Sequence, residues 1–152
     1  MKRKSGGKNG GAVPALTAFL YRNFPNAPEP GKNREEEAGK FVILSKHGAA
    51  TELHLILSPL SFTPYHADIV YQYLQVEKRG KVEGAKASGC KILSPEWAVH
   101  GGGHFTAQHW LHNLVLHGKS TAFGRYEQEL LEPFEAEIPS KLGLEGYTLE
   151  FR

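Results

Sequence analysis

Apolar and polar positions divide the chain into a polar front and a patterned body. Lys40–Lys46 (KFVILSK) sets branched and aromatic residues in a row with little polar alternation, which predicts a strand. Glu52–Ser58 (ELHLILS) repeats that pattern after the short turn at His47-Gly48-Ala49-Ala50, so the two predict an antiparallel hairpin. After a Pro59–Pro64 break, Ile69, Val70, Tyr73, Leu74 and Val76 recur near the helical period and predict a helix over Tyr65–Arg79, stopped at Gly80. Lys81–Gly89 reads as a loop. Trp97–Thr106 reads as a strand whose three glycines mark a bulge or a close backbone approach. Trp110–His117 reads as a further strand and Gly118–Gly124 as a tight polar loop. Arg125–Glu137 reads as a helix bent or ended at Pro133, and Gly146–Phe151 as a closing strand.

The front is different in kind. Residues 1–12 are mostly glycine and lysine with almost nothing to bury, the composition of a disordered tail. Leu16, Phe19 and Leu20 suffice to pack one short segment against the body, and residues 24–38 read as a loop of three prolines and a charge run. The division expected is a flexible basic extension and linker over 1–38 and one domain over 39–152. Within the domain the order β–β–α–β–β–α–β predicts a mixed sheet with packed helices, an α/β or α+β fold.

Composition narrows the chemistry. The formal net charge of +2 is concentrated in the front, where Lys2, Arg3, Lys4, Lys8 and Arg22 precede the first acid, Glu29. A basic tail on a mildly acidic body is a weak reason to expect nucleic acid, and none is expected as a partner. No apolar run approaches the roughly 18 residues of a membrane span, so no membrane is expected either. Cys90 is the single cysteine, which excludes an internal disulfide and a cysteine-based zinc site and suits a reducing, cytoplasmic setting. The front lacks the compact apolar stretch of a signal peptide; its basic character leaves an organelle transit peptide open. The chain has fifteen glutamates, one aspartate (Asp68) and eight histidines, so chemistry led by paired aspartates is unavailable.

Three groups of residues are candidates for chemistry. His66 lies where a proline-terminated loop enters a helix, near unpaired backbone N–H groups that favour a phosphate and a helix dipole that disfavours imidazolium. It reads either as a neutral base or nucleophile or as a helix residue with no task. Gly118–Gly124 carries Ser120 and Thr121 between a strand and a helix, and reads either as an anion-binding nest or as a hydroxyl cap. It lacks the glycine that a P-loop requires five residues before Gly118. His100, His104, His109 and His112 look like a metal set only superficially, with no HExxH and no aspartate beside them. Cys90 reads as a small apolar residue. Lys40 matters only if the sheet order brings it to the same end as the Ser120 loop.

Four segments taken together resemble the small protein phosphohistidine phosphatases and the related Janus and ocnus proteins. They are Lys40-Phe41-Val42-Ile43-Leu44, Tyr65-His66-Ala67-Asp68-Ile69, Gly101-Gly102-Gly103 and Gly118-Lys119-Ser120-Thr121-Ala122-Phe123-Gly124, in that order. The resemblance spans roughly residues 39–151 and is most specific at Tyr65–Ile69. It implies a single domain with a mixed sheet flanked by helices on both sides, His66 as catalytic residue, Ser120, Thr121 and Ala122 as the phosphate-binding loop, and Lys40 as a substrate contact. It also implies no metal or other cofactor, phosphohistidine-containing proteins as partners, and a monomer. The chain departs from the family at three places: His104 stands where an arginine commonly follows the glycines, Ser58 stands at another arginine position, and Lys119 replaces an aromatic. Two guanidinium groups are thereby lost near the site and an ammonium is gained, which changes how phosphate is held. A protein-histidine phosphatase with His66 as base or nucleophile is the activity expected; a non-catalytic Janus-type module that binds phosphoproteins is the alternative.

Overall fold

The computed structural model describes residues 14–21, 36–86 and 88–152. The expectations for residues 1–12 and for the proline-rich stretch up to residue 35 lie outside the described residues. Strand β1 (Ala15–Leu20) is followed by the hairpin of β2 (Glu36–His47) and β3 (Thr51–Pro59), then by helix α1 (His66–Val70). The chain continues through β4 (Val82–Lys86), β5 (Gly89–Ile92), β6 (Trp97–Gln108), β7 (Asn113–His117), β8 (Lys119–Ser120) and β9 (Gly124–Arg125). It closes with α2 (Gln128–Leu131), α3 (Ile138–Lys141) and β10 (Thr148–Phe151). The main sheet runs β1-β3-β2-β6-β7-β10, with the small β8–β9 pair attached through β9 to β6. β1 lies parallel to β3 and β10 parallel to β7, while β2 is antiparallel to both β3 and β6. The fold is therefore α+β with a mixed sheet.

Apolar side chains alternate between the two faces because successive strand residues point in opposite directions. Phe41, Ile43, Leu55, Leu57 and Phe105 pack on one face with Leu131, Phe134, Ile138 and Leu142 of the α2–α3 segment. Val42, Leu44 and Ile56 pack on the other with Ile69, Val70, Tyr73 and Leu74 of the α1 segment. Burying each such side chain contributes roughly 1.5–3 kcal/mol, so both covering layers are held by the same two central strands. No helix among the described residues is long and apolar enough to cross a membrane.

Several elements differ from expectation. Leu16 and Ala18 are buried against β3, and Glu36–Ala38 belong to β2, so part of the stretch expected as extension and linker is strand. Lys81–Gly89 is not a loop: β4 and β5 form a separate antiparallel pair with Val82 buried. The strand expected over Trp110–His117 starts late: His109–Leu111 is a 3-10 turn, and His112 turns the chain in a left-handed conformation before β7 begins. Arg125–Glu137 is not one helix. Arg125 is in β9, α2 is a single turn, and Pro133 sits in a 3-10 turn because its ring cannot continue the helical hydrogen-bond ladder. The Tyr65–Arg79 helix begins as expected but widens into a π-helix over Tyr71–Val76.

Candidate functional site

The site grows from the glycine run. Ile43 of β2 faces a bulge at His100–Gly101, where the β2–β6 register shifts, and Gly101 takes φ +92°, a left-handed value that suits glycine. A Cβ on Gly102 would lie 2.5 Å from the Phe41 carbonyl oxygen and 2.9 Å from Cδ2 of His66. A Cβ on Gly103 would lie 2.5 Å from the His117 carbonyl oxygen. The glycines thus form a bare floor on which the imidazole of His66 rests.

His66 is the first residue of α1 and only 5% exposed. Tyr65 precedes it in extended conformation, and Asp68 fixes that entry by accepting the Tyr65 backbone N–H at 3.1 Å. The sole aspartate therefore serves the helix start. Nε2 of His66 lies 2.7 Å from the carbonyl oxygen of Gly103. A carbonyl only accepts, so Nε2 carries the proton and Nδ1 keeps its lone pair. Nδ1 makes no hydrogen bond with any described residue. The group is pushed down to about 4, chiefly by burial and further by the charges of Lys40 and His104, against the opposing Gly103 bond. Burial, rather than the dipole of a five-residue helix, is the largest cause of its neutrality at pH 7.

Sheet order brings Lys40 alongside. Ser58, Lys40, His104 and His117 form one row across β3, β2, β6 and β7, each directly opposite the next. A cavity of about 250 Å³ is lined by Lys40 and His104 of this row together with Tyr65, His66, Lys119, Thr121 and Ala122. Among the described residues no carboxylate lines it. Lys40 Nζ donates to the Pro64 carbonyl at 2.6 Å and lies 5.6 Å from the Tyr65 ring centre, so the lysine is braced by the segment that delivers His66.

Of the expected site residues, the structure gathers Lys40, His66, Thr121 and Ala122 around the cavity. Ser120 is placed differently: it is buried, does not line the cavity, and its Oγ accepts the Phe123 N–H at 3.0 Å, the capping geometry. Ser58, which the resemblance set against an arginine, is buried with its Oγ accepting from Thr63 at 2.5 Å. Tyr65, His104 and Lys119 line the cavity without having been assigned a role from sequence. The last two stood out only as departures from the family pattern.

The other histidines disperse. His100 Nε2 accepts from Ser45 Oγ at 2.7 Å, with Glu127 3.4 Å from its Nδ1. His109 pairs with Glu37 at 3.0 Å and His112 stacks on Tyr147, ring centres 5.1 Å apart. Among the described residues no three His, Cys, Asp or Glu side chains gather where an ion could sit. Cys90 is half-buried, and burial together with the charge of Asp68 pushes its thiol up to about 11, well away from a reactive thiolate. The chain matches no protein-family model and no curated protein.

Proposed function

We propose that the protein is a phosphohistidine phosphatase acting on other proteins, with His66 as its catalytic residue. The observation that carries the reading is the cavity: a buried neutral imidazole whose Nδ1 bonds no described residue, in a cavity that Lys40 and Lys119 also line, with no carboxylate among the described lining residues to repel an anion. The four segments that resemble the phosphohistidine phosphatases all contribute to this one place, and helices on both faces of a mixed sheet suit that family's fold.

The chemistry follows from the parts. A phosphoramidate bond breaks readily once its nitrogen is protonated, so the protein has mainly to position and neutralise the phosphoryl group and supply a nucleophile. Lys40, Lys119, Thr121 and the backbone of the Ser120–Ala122 loop hold the phosphoryl oxygens. The Nδ1 lone pair of His66 then either takes a proton from an attacking water or attacks phosphorus itself, forming phospho-His66 that water hydrolyses to phosphate and free imidazole. In both routes the P–N electron pair leaves with the substrate imidazole, which takes up a proton. The Ser120 hydroxyl supports the loop through Phe123 and retains its own hydrogen for donation.

The test is phosphate release from a phosphohistidine peptide, with a phosphoserine peptide alongside and EDTA present throughout. Release from the first at many turnovers per protein supports the reading. Saturable binding of the phosphopeptide without release would replace it with a phosphoprotein-binding module. Loss of release in EDTA, restored by zinc or manganese, would bring a metal into the mechanism.

A further inference from the structure

His104 occupies a place that the reaction outlined above leaves without a task. Its ring meets the His66 ring edge-on at 5.7 Å and stacks near-parallel on His117 at 5.9 Å. Gly118, at φ +74°, brings its backbone so close that an added Cβ would lie 3.0 Å from Cδ2 of His104. The ring is thus held on three sides and lines the cavity, yet neither of its nitrogens makes a hydrogen bond with any described residue. The groups that face it are Lys40 from β2, His66 from α1, His117 from β7 and Lys119 from β8, with Arg152 beyond His117. All are neutral or positive.

We propose that His104 is a proton-coupled anion ligand: a tetrahedral oxyanion entering the cavity is bound by His104 as imidazolium, so each anion brings one proton into the site. The surroundings supply the reason. Burial, His117 and Lys40 hold the empty ring below the usual histidine range, so it is neutral at pH 7. An anion provides the one missing counter-charge. His66 is buried and held down to about 4 while His104 is only partly buried, so the incoming proton goes to His104 and the Nδ1 lone pair of His66 survives. Two imidazoles this close do not both charge readily, which keeps the roles apart. The site then holds an acid and a nucleophile together at neutral pH.

The inference rests on the cavity being an anion site, and the experiment separates the two. Sulfate is the probe, because its charge is constant from pH 5 to 8. Wild-type protein should bind it about tenfold or more tightly at pH 5.5 than at pH 7.5, since one coupled proton changes affinity by at most about tenfold per pH unit. Heats measured in two buffers of different ionisation enthalpy should show proton uptake with sulfate, and the His104 ring resonance should titrate at higher pH when sulfate is present. His104→Arg should bind tightly with a flat profile, and His104→Gln weakly with a flat profile. Should His104→Gln fail to fold, the wild-type ring titration decides alone. A flat wild-type profile, or a slope retained in His104→Gln, overturns the proposal and leaves the anion site standing. Failure of sulfate and phosphate to bind at any pH overturns both.

Discussion

Two populations of histidine coexist in this small fold, and the contrast between them is the main argument for where it works. His54, His100 and His109 each sit beside a glutamate, with Glu52 at 3.0 Å, Glu127 at 3.4 Å and Glu37 at 3.0 Å. Their ring nitrogens are used up in local bonds, to Tyr73, Ser45 and Tyr147 as well as to the carboxylates. Among the described residues His66 and His104 have no carboxylate partner. Both are held below the ordinary histidine range, chiefly by burial and further by neighbouring cations, both keep a nitrogen without a hydrogen bond to any described residue, and both line one cavity. Among the described residues no glutamate pairs with either of these two. Unpaired, buried imidazole beside ammonium lowers stability, and an anion that enters such a place relieves the cost.

The largest expected effect comes from breaking the unpaired set. His66→Ala should lower phosphohistidine turnover by roughly a hundred- to ten-thousandfold, the usual range for a lost general base. The variant should still melt cooperatively, and near-normal turnover in folded protein would remove His66 from the mechanism. The next effect is on stability against pH. His66 stays neutral in the folded protein down to about pH 4, while the unfolded chain takes up its proton near pH 6.5. Stability from this group is therefore complete above pH 6.5 and lost progressively as pH falls toward 4, by about 3 kcal/mol in all. His54, His104 and His117 shift in the same direction, so the check is the difference between wild-type and His66→Ala denaturation curves. A difference that does not vary with pH would contradict the neutral, buried imidazole.

Smaller effects sharpen the contrast. Gly102→Ala should push the floor into His66 Cδ2 and the Phe41 carbonyl. It should cost about 1–3 kcal/mol of stability and reduce turnover more than the melting shift alone explains; unaltered turnover would mean that the floor does not position the imidazole. His100→Ala should leave turnover unchanged and lower stability by about 1 kcal/mol, the net worth of its partly exposed hydrogen bonds with Ser45 and Glu127. A loss of turnover there would show that the paired histidines are not merely structural.

What could be read in advance follows from the range of the interactions involved. The β2–β3 hairpin was legible because Phe41–Leu44 and Leu53–Leu57 are compact apolar runs joined by a short turn, a local signal. The glycine run announced close backbone approach because nothing else explains three missing side chains in a strand. The β4–β5 pair was not legible: Val82, Cys90 and Ile92 are separated by glycines and charged residues, which masks alternation. The Arg125–Glu137 stretch misled because Tyr126, Leu130, Leu131 and Phe134 keep a helical period across a proline that interrupts the helix. In the site, His66 and the Ser120–Ala122 loop could be picked out by motif. The row Ser58–Lys40–His104–His117 could not, because it exists only through the register between two strand pairs, β2–β3 and β6–β7, far apart in sequence. Lys119 lay within one motif and His104 directly after another, but only the structure shows that both line one cavity.

The most direct measurement is an amide-shift titration of the protein with inorganic phosphate, repeated with Lys40→Ala. The shifts should concentrate at Lys40, His66, His104 and Ser120–Ala122. Lys40→Ala should weaken binding roughly ten- to a hundredfold, the worth of one desolvated charge-assisted hydrogen bond. Shifts confined to the basic residues 1–12, or to His109 and His112, would contradict the account and place the site elsewhere.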